Sequence, residues 1–117
     1  MIDNIAGINI WTDNFKEMSN FYENILSLKV HSTKDNWISF EYLDFRLNIG
    51  THSMVNKKNN DSHRIMINLL SNNIDQMYKT LLNKDVQFIR KPEKEKWGGW
   101  VATFYDPDRN ILQLLQK

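Results

Sequence analysis

Two stretches of this chain share one pattern of apolar and polar positions. Ile8 to Met18 (INIWTDNFKEM) aligns without a gap to Ile67 to Met77 (INLLSNNIDQM). In each stretch, alternating apolar and polar residues predict a half-buried strand, and an Asn then precedes apolar residues at helical spacing. The chain therefore contains an internal repeat in which a strand leads into a capped helix.

The regions around the repeat predict the remaining elements. Asn14 and Glu17 stand at the N-cap and N3 positions of a capping box, which opens a helix that ends near Ser27. Gly98-Gly99 and the turn that starts at Asp106 delimit a C-terminal β-hairpin. Besides the strand that opens the second copy of the repeat, the predicted strands are 5–11, 28–33, 37–43, 45–49, 86–89 and the two hairpin strands within 97–117, which makes eight strands. The second helix is 73–83.

The order of these elements predicts an α+β fold with two βαβββ modules. Module one spans residues 1–50, a polar loop spans 51–62, and module two spans 63–117, all within a single domain. We expect mostly antiparallel, curved sheets around a shared cleft. Each module leaves an apolar sheet face to cover, so we expect the modules to pair, within one chain or between two chains of a homodimer.

The turn Asp106-Pro107-Asp108 has a local explanation. Asp side chains accept hydrogen bonds from turn amides, and Pro presets φ, so both acids are expected to build the turn rather than to catalyse. Arg109 follows this turn. If Arg109 adopts a positive φ, its backbone is mildly strained.

Composition narrows the function classes. The chain has 117 residues, a formal net charge of +1 and no cysteine. Near-neutral charge gives no reason to expect nucleic acid or an anionic membrane as partner, and the lack of cysteine excludes disulfides and thiolate chemistry. The first residues contain acids and no long apolar run, so we expect neither a signal peptide nor a membrane span. We therefore expect a cytoplasmic protein.

The repeat, the segment Phe21-Tyr22 with Ile25-Leu26, and the hairpin WGG…FYDPDRN…L resemble the vicinal oxygen chelate superfamily, which includes glyoxalase I, bleomycin-resistance proteins and extradiol dioxygenases. The resemblance covers nearly the whole chain and implies paired βαβββ modules around a cleft. It also implies a metal held by His or Glu from the first and last strands of each module. These positions correspond to Gly7, Met66, Gln113 and, depending on the alignment, Arg46 or Asn48.

None of these residues supplies an imidazole or a carboxylate, so we expect no metal cofactor. His31, His52 and His63 have no metal-binding spacing and are expected to be surface residues. No P-loop, dinucleotide fingerprint or Ser-His-Asp order is present.

Alternation along the strands predicts the residues that line the cleft. Amides at matching positions 9 and 68 need partners or water, and Trp side chains offer stacking surface. Such a cleft favours binding or sequestering of a small aromatic or amphipathic molecule over catalysis. A metal-dependent lyase or dioxygenase with unorthodox ligands such as His63, and a dimeric protein-interaction module, are the alternatives. The predicted ligand-binding residues are Asn9, Trp11, Arg46, Asn48, Met66, Asn68, Trp97, Trp100 and Gln113.

Overall fold

The computed structural model describes all 117 residues, which divide into two compact units. The first unit is Met1–Lys58 and the second is Asn59–Lys117. Each unit is a βαβββ module, as predicted. Neither helix has the length and apolar character that a membrane-spanning helix needs. The first unit contains β1 (Gly7–Trp11), α1 (Phe15–Asn20) with a π-helical turn (Phe21–Ile25), β2 (Val30–Lys34), β3 (Trp37–Tyr42) and β4 (Phe45–Gly50). The second contains β5 (Met66–Leu70), α2 (Ile74–Asn83), β6 (Phe88–Lys94), β7 (Trp100–Tyr105) and β8 (Ile111–Gln116).

Each unit has one four-stranded mixed sheet with the same topology. The strand order is β1-β4-β3-β2 in the first sheet and β5-β8-β7-β6 in the second. The first strand of each unit pairs in parallel with its last strand, and the other pairs are antiparallel. The parallel pair is possible because the helix and two strands separate its members along the chain.

One face of each sheet forms the apolar core with the helix of its unit. In the first unit, Tyr22 is fully buried and its ring lies 6.4 Å from that of Phe40 on β3. In the second, Phe88 lies between Tyr78 of α2 and Phe104 of β7, at 4.7 Å and 5.2 Å between ring centroids. Alternation along the strands therefore directs the opposite set of side chains to the other face of each sheet.

The joint between strand and helix is the best-repeated detail of the two units. Thr12 Oγ1 accepts a hydrogen bond from the Asn14 amide at 2.8 Å, and Ser71 Oγ accepts one from the Asn73 amide at 3.2 Å. The amides of Thr12 and Ser71 donate in turn to the carbonyls at the ends of β4 and β8. This local side-chain bonding explains why the repeat keeps a hydroxyl at this position.

The capping box predicted at Asn14 does not form, whereas Asn73, its repeat partner in the second unit, caps its helix with its side chain. Asn73 Oδ1 accepts from the Gln76 amide at 3.2 Å. Asn14 makes no such bond, and its side chain donates instead to Glu17 Oε2 at 2.9 Å. The first helix also widens, because Leu26 N donates to the Phe21 carbonyl five residues earlier, and it ends before Ser27, whose φ is 59°.

Several predicted strand ends differ from those observed. β1 begins at Gly7 rather than Ile5, and β2 begins two residues later than expected. β6 was expected to end at Ile89 but continues through Pro92 to Lys94. Pro92 is accommodated because β6 is an edge strand, where a missing N–H need not break a ladder bond.

The hairpin turn has the predicted local chemistry. Asp106 Oδ1 accepts from the amides of Asp108 and Asn110, both at 2.9 Å, and Asp106 Oδ2 accepts from the Asn110 side chain at 2.9 Å. Arg109 adopts φ 67°, and its guanidinium lies 4.5 Å from the centre of the Tyr105 ring. A cation–π contact thus accompanies the left-handed backbone of this residue.

The two helix starts predict unequal effects of the same substitution. Asn73→Ala removes a side-chain cap and is expected to lower the free energy of unfolding by about 1 kcal/mol. Asn14→Ala is expected to cost less, because the Asn14 side chain bonds no helix amide. Urea unfolding of both variants tests this, and an equal or larger loss for Asn14→Ala would contradict it.

Candidate functional site

A row of polar side chains crosses each sheet on the face opposite the helix. In the first sheet, Asn48 of β4 lies in register between Asn9 of β1 and Ser39 of β3. In the second, Gln113 of β8 lies between Asn68 of β5 and Thr103 of β7. The sequence repeat relates Asn9 to Asn68, so the two rows occupy equivalent places, and we call them the first and second amide rows.

The register identifies the residue of β4 that corresponds to Gln113. Gln113 pairs with Asn68, and Asn9, the repeat partner of Asn68, pairs with Asn48. The alternative left open by the sequence, Arg46, instead pairs with Gly7. Asn48 is therefore the structural counterpart of Gln113.

Hydrogen bonding differs between the two rows. In the first, Asn48 Nδ2 donates to Asn9 Oδ1 at 3.0 Å, while the buried atoms Asn48 Oδ1 and Ser39 Oγ have no hydrogen-bond partner. In the second, Gln113 Nε2 donates to Thr103 Oγ1 at 3.3 Å. Buried polar atoms without partners are uncommon and each costs free energy, so the first row is incomplete as it stands.

An aromatic group lies next to the first amide row. Trp11 of β1 and Trp37 of β3 flank Gly50 in register, and their ring centroids are 5.9 Å apart. A Cβ added at Gly50 would lie 2.6 Å from Trp37 Cε3 and 3.2 Å from Trp11 Cζ3, so only glycine leaves room for both indoles. His52 adds a third ring, 5.2 Å from Trp11. The three rings form a tilted aromatic surface at one end of the face.

Sequence reasoning missed Trp37 and His52 as site residues. Trp37, Ser39 and Glu41 alternate along β3 and so share the face that carries Asn48, a pattern visible in the sequence once the register of β3 and β4 is known. His52 follows β4 in a loop, where no periodicity indicates direction.

A charged group lies at the other end of the same face. Arg46 pairs in register with Glu41, and its Nε donates to Glu41 Oε2 at 2.9 Å. Arg46 Nη2 lies 2.9 Å from His31 Nε2, and because guanidinium only donates, that histidine nitrogen must accept. The hydrogen bond from Arg46 holds the pKa of the Glu41 carboxyl below its ordinary value.

On β5, β8 and β7 the corresponding face of the second sheet carries mainly apolar side chains outside its amide row, whereas the edge strand β6 adds Arg90, which pairs in register with Thr103 and forms ion pairs with Glu93 and Glu95. Met66, Ile111 and Tyr105 form one neighbouring row, and Leu70, Leu115 and Val101 form the other. Met66 thus lies on the predicted face, beside Asn68. The second unit offers apolar side chains where the first offers two tryptophans, and its arginine, Arg90, lies in register with the second amide row instead of beside it.

The remaining two tryptophans lie elsewhere. Trp100 was predicted to overhang the cleft as a ligand-binding residue, with packing under a helix as the alternative. It pairs with Gln116, whose Oε1 accepts from the first amide of α2 at 2.7 Å. Trp100 therefore lies on the helix face of its sheet, because strand alternation separates it from Thr103. Trp97 lies in the turn after β6, exposed, with its ring against Gly99.

The metal that the resemblance implies does not fit these residues. Gly7 has no side chain, and a Cβ added there would lie 2.1 Å from the Arg46 carbonyl oxygen. Met66 offers a thioether, and Asn48 and Gln113 offer neutral amides, whereas such metals take imidazole and carboxylate. No group of three or more His, Asp or Glu side chains in the structure could hold a metal, and His63 is exposed before β5.

Close approach at Gly7 predicts a stability effect. Gly7→Ala would force the β1 and β4 backbones apart, and we expect a loss of roughly 1–3 kcal/mol in the free energy of unfolding. Gly98→Ala is the control, because no atom lies within 4 Å and only its φ of 99° is unfavourable. Urea unfolding should rank Gly7→Ala as the less stable variant, and a wild-type midpoint for it would contradict the geometry.

The Arg46–Glu41 pair predicts a titration effect. In Arg46→Ala the Glu41 pKa should rise toward its ordinary value, as measured by NMR titration of the Glu41 side-chain carbon. Since the folded pKa is the lower one, the pair stabilises the fold above the unfolded pKa, and this stabilisation is lost as pH falls through the folded pKa. Arg64→Ala, which removes a separate pair with Asp61, should leave Glu41 unchanged.

Comparisons with known proteins agree with the fold. The family model described as a glyoxalase-like domain matches residues 5–116, and no curated protein matches. A glyoxalase/bleomycin resistance protein/dioxygenase superfamily member from Sphaerobacter thermophilus is 25% identical with TM-score 0.77, covering 99% of this chain and 98% of that one. A lactoylglutathione lyase from Agrobacterium tumefaciens is 9% identical with TM-score 0.76, covering 98% and 94%. The chain therefore belongs to the glyoxalase-like domain family, within the vicinal oxygen chelate superfamily.

Proposed function

We propose that this protein binds a small aromatic or amphipathic molecule without a metal cofactor, and sequesters it rather than transforming it. The observation that carries this proposal is the row Trp11–Gly50–Trp37, which lies directly beside the first amide row on one face of the first sheet. Aromatic surface beside a few fixed polar groups is the usual composition of a site for flat organic ligands.

The aromatic row is suited to stacking. Neither Trp11 nor Trp37 is fully buried, and the two rings are tilted by 46°, so both keep ring surface that a planar ligand can cover. Gly50 below them lets the indoles lie close to the sheet. A ligand held there gains apolar burial and ring contacts together.

The polar groups on the same face are suited to orientation. Asn9 and Asn48 offer amide donors and acceptors, and Arg46 adds a guanidinium that is about half exposed. Neighbouring residues on a strand face are two positions apart, so the amide row lies about 7 Å from the aromatic row and from Arg46. One ligand of drug-like size can therefore reach all three groups.

The hydrogen bonding of Ser39 and Glu41, a serine and a carboxylate on this face, favours binding over catalysis. A serine nucleophile needs a hydrogen-bonded base, and Ser39 Oγ has no hydrogen-bond partner. Glu41 is held by Arg46, which lowers its pKa and makes it a weaker base. The lyase activity named for the structural relative is that protein's own, and its low identity to this chain supports only a common fold.

Tryptophan substitutions test the proposal. We expect tryptophan fluorescence to change when wild-type protein is titrated with a panel of flat aromatic compounds. For any compound that binds, Trp11→Ala or Trp37→Ala should weaken affinity by roughly 1–3 kcal/mol, measured by calorimetry, because each removes stacking surface.

Trp100→Ala is the matched control, since Trp100 lies on the helix face of the second sheet. It should retain wild-type affinity, with folding of all variants checked by circular dichroism. Equal loss of affinity in all three variants would contradict the proposed site. A stoichiometric divalent metal in untreated protein, found by elemental analysis, would contradict the proposed absence of a cofactor.

A further inference from the structure

Arg46 and Arg90 lie on the sheet faces opposite the helices, and their partners differ in charge. Arg90 donates to two carboxylates, so its positive charge is compensated twice. Arg46 donates to one carboxylate, that of Glu41, and its other partner is the imidazole of His31. Arg46 Nη1 has no protein partner, and about half of the side chain is exposed. Arg46, unlike Arg90, therefore keeps donors and positive charge that an added anion can use.

The contact with Arg46 fixes the protonation of His31. A guanidinium only donates, so His31 Nε2, which lies 2.9 Å from Arg46 Nη2, carries no proton. The imidazole is therefore neutral, and its one N–H is on Nδ1, which donates to Ser32 Oγ at 3.1 Å. A proton on Nε2 would set two donors against each other. His31 can therefore gain a second proton only if it leaves Arg46.

A β-bulge places His31 at this contact. The register of β2 against β3 shifts between Val30 and Ser32, which leaves His31 as the extra residue. The register of β6 shifts at the equivalent place, where the extra residue is Ile89. Both modules thus have the bulge, and the first places a titratable side chain in it. Since His31 is exposed, it can move away from Arg46 without opening the core.

The charges that surround His31 favour an anion. Arg46 of β4 and Lys29, which precedes β2, are positive, and Glu41 of β3 is the negative group that faces them. Two positive charges and one negative charge leave this end of the face positive. A proton on His31 adds a further positive charge, so an anion at Arg46 and a proton on His31 stabilise each other.

We propose that the ligand carries an oxyanion such as a carboxylate, that this group replaces the His31 imidazole at Arg46, and that His31 gains a proton as the group binds. Arg46 Nη2 then donates to the anion, and His31 Nε2–H becomes a second donor to it. Arg46 and Gly50 of the aromatic row are four residues apart on β4, about 13 Å. The ligand class is thus an elongated aromatic acid with the ring at one end, an assignment that rests on the proposed function.

Phenylhexanoate and phenylhexanamide test the anionic group, because they share ring and chain and differ in charge. Calorimetry at about pH 7 should show wild-type protein binding phenylhexanoate at least about tenfold more tightly, the scale of one charge-assisted hydrogen bond. Arg46→Gln should bring the ratio close to one while both compounds still bind. Arg90→Gln is the matched control and should keep the wild-type ratio, because Arg90 is already paired with two carboxylates.

Proton uptake tests the role of His31. Calorimetry in buffers of different ionisation enthalpy, at about pH 7.5, should show that phenylhexanoate takes up more protons on binding than phenylhexanamide does. The affinity ratio of the two compounds should accordingly rise as pH falls from about 8 to about 6, a range in which arginine, lysine and carboxylates keep their charges.

His31→Gln is the variant that isolates this effect. Glutamine still offers Arg46 an acceptor oxygen but cannot titrate, so the extra proton uptake and the pH dependence of the ratio should both disappear. A contribution from His52, at the aromatic end, is common to the two compounds and cancels in the ratio.

The outcomes separate this inference from the proposed function. Equal affinity of wild-type protein for both compounds would overturn the anionic ligand while leaving aromatic binding intact. A preference for phenylhexanoate that survives Arg46→Gln would overturn the site, and a preference without extra proton uptake would overturn the exchange at His31. Binding of neither compound would overturn the inference, and the panel of flat aromatic compounds would then decide the proposed function by itself.

Discussion

Parallel pairing between the first and last strands of each unit is the constraint on which the candidate site depends. It fixes Asn9 beside Asn48 and Asn68 beside Gln113, so that each amide has an amide neighbour. A shift of one residue in either pair would turn these side chains to the helix face, where a buried amide without partners is costly. The hydroxyl joints at Thr12 and Ser71 anchor the same pairs, because their amides bond the carbonyls at the ends of β4 and β8.

Two copies of one backbone plan carry different surfaces. Both units place an amide row in the middle of the sheet face, but the neighbouring rows differ in kind. The first unit has paired indoles at one end and an Arg–Glu pair at the other. The second has methionine, leucine and valine in these rows, and its Arg–Glu cluster lies on the edge strand β6. The backbone thus sets where side chains meet, and side-chain identity decides what each unit can hold.

Much of the fold was predictable from the sequence because it follows from periodicity and capping residues. The repeat gave both βαβββ modules, and the Asp-Pro-Asp turn was predicted with its chemistry. Two predictions were wrong where local sequence pattern did not decide the structure. β6 continues through Pro92 because it is an edge strand. The Asn14 side chain bonds Glu17 instead of capping an amide of the first helix.

The candidate site was predictable where alternation along a strand sufficed, as for Asn9, Asn48 and Gln113. Trp37 was missed because its place depends on pairing between β3 and β4, which a single strand does not encode. The face of Trp100 could not be read from the sequence, because the Gly98-Gly99 pair before it gives no signal of which face the next residue takes. Hydrogen-bond direction in the amide rows lies beyond any sequence pattern, since it depends on which amide atom faces which neighbour.

The close approach at Gly7 has an evolutionary consequence. A codon change from glycine to histidine at this position would introduce an imidazole together with a Cβ that collides with the β4 backbone. A metal-binding descendant of this chain would therefore need the two strands to separate before the new ligand could bring any benefit. Substitution at Gly7 alone therefore does not create a metal site on this backbone.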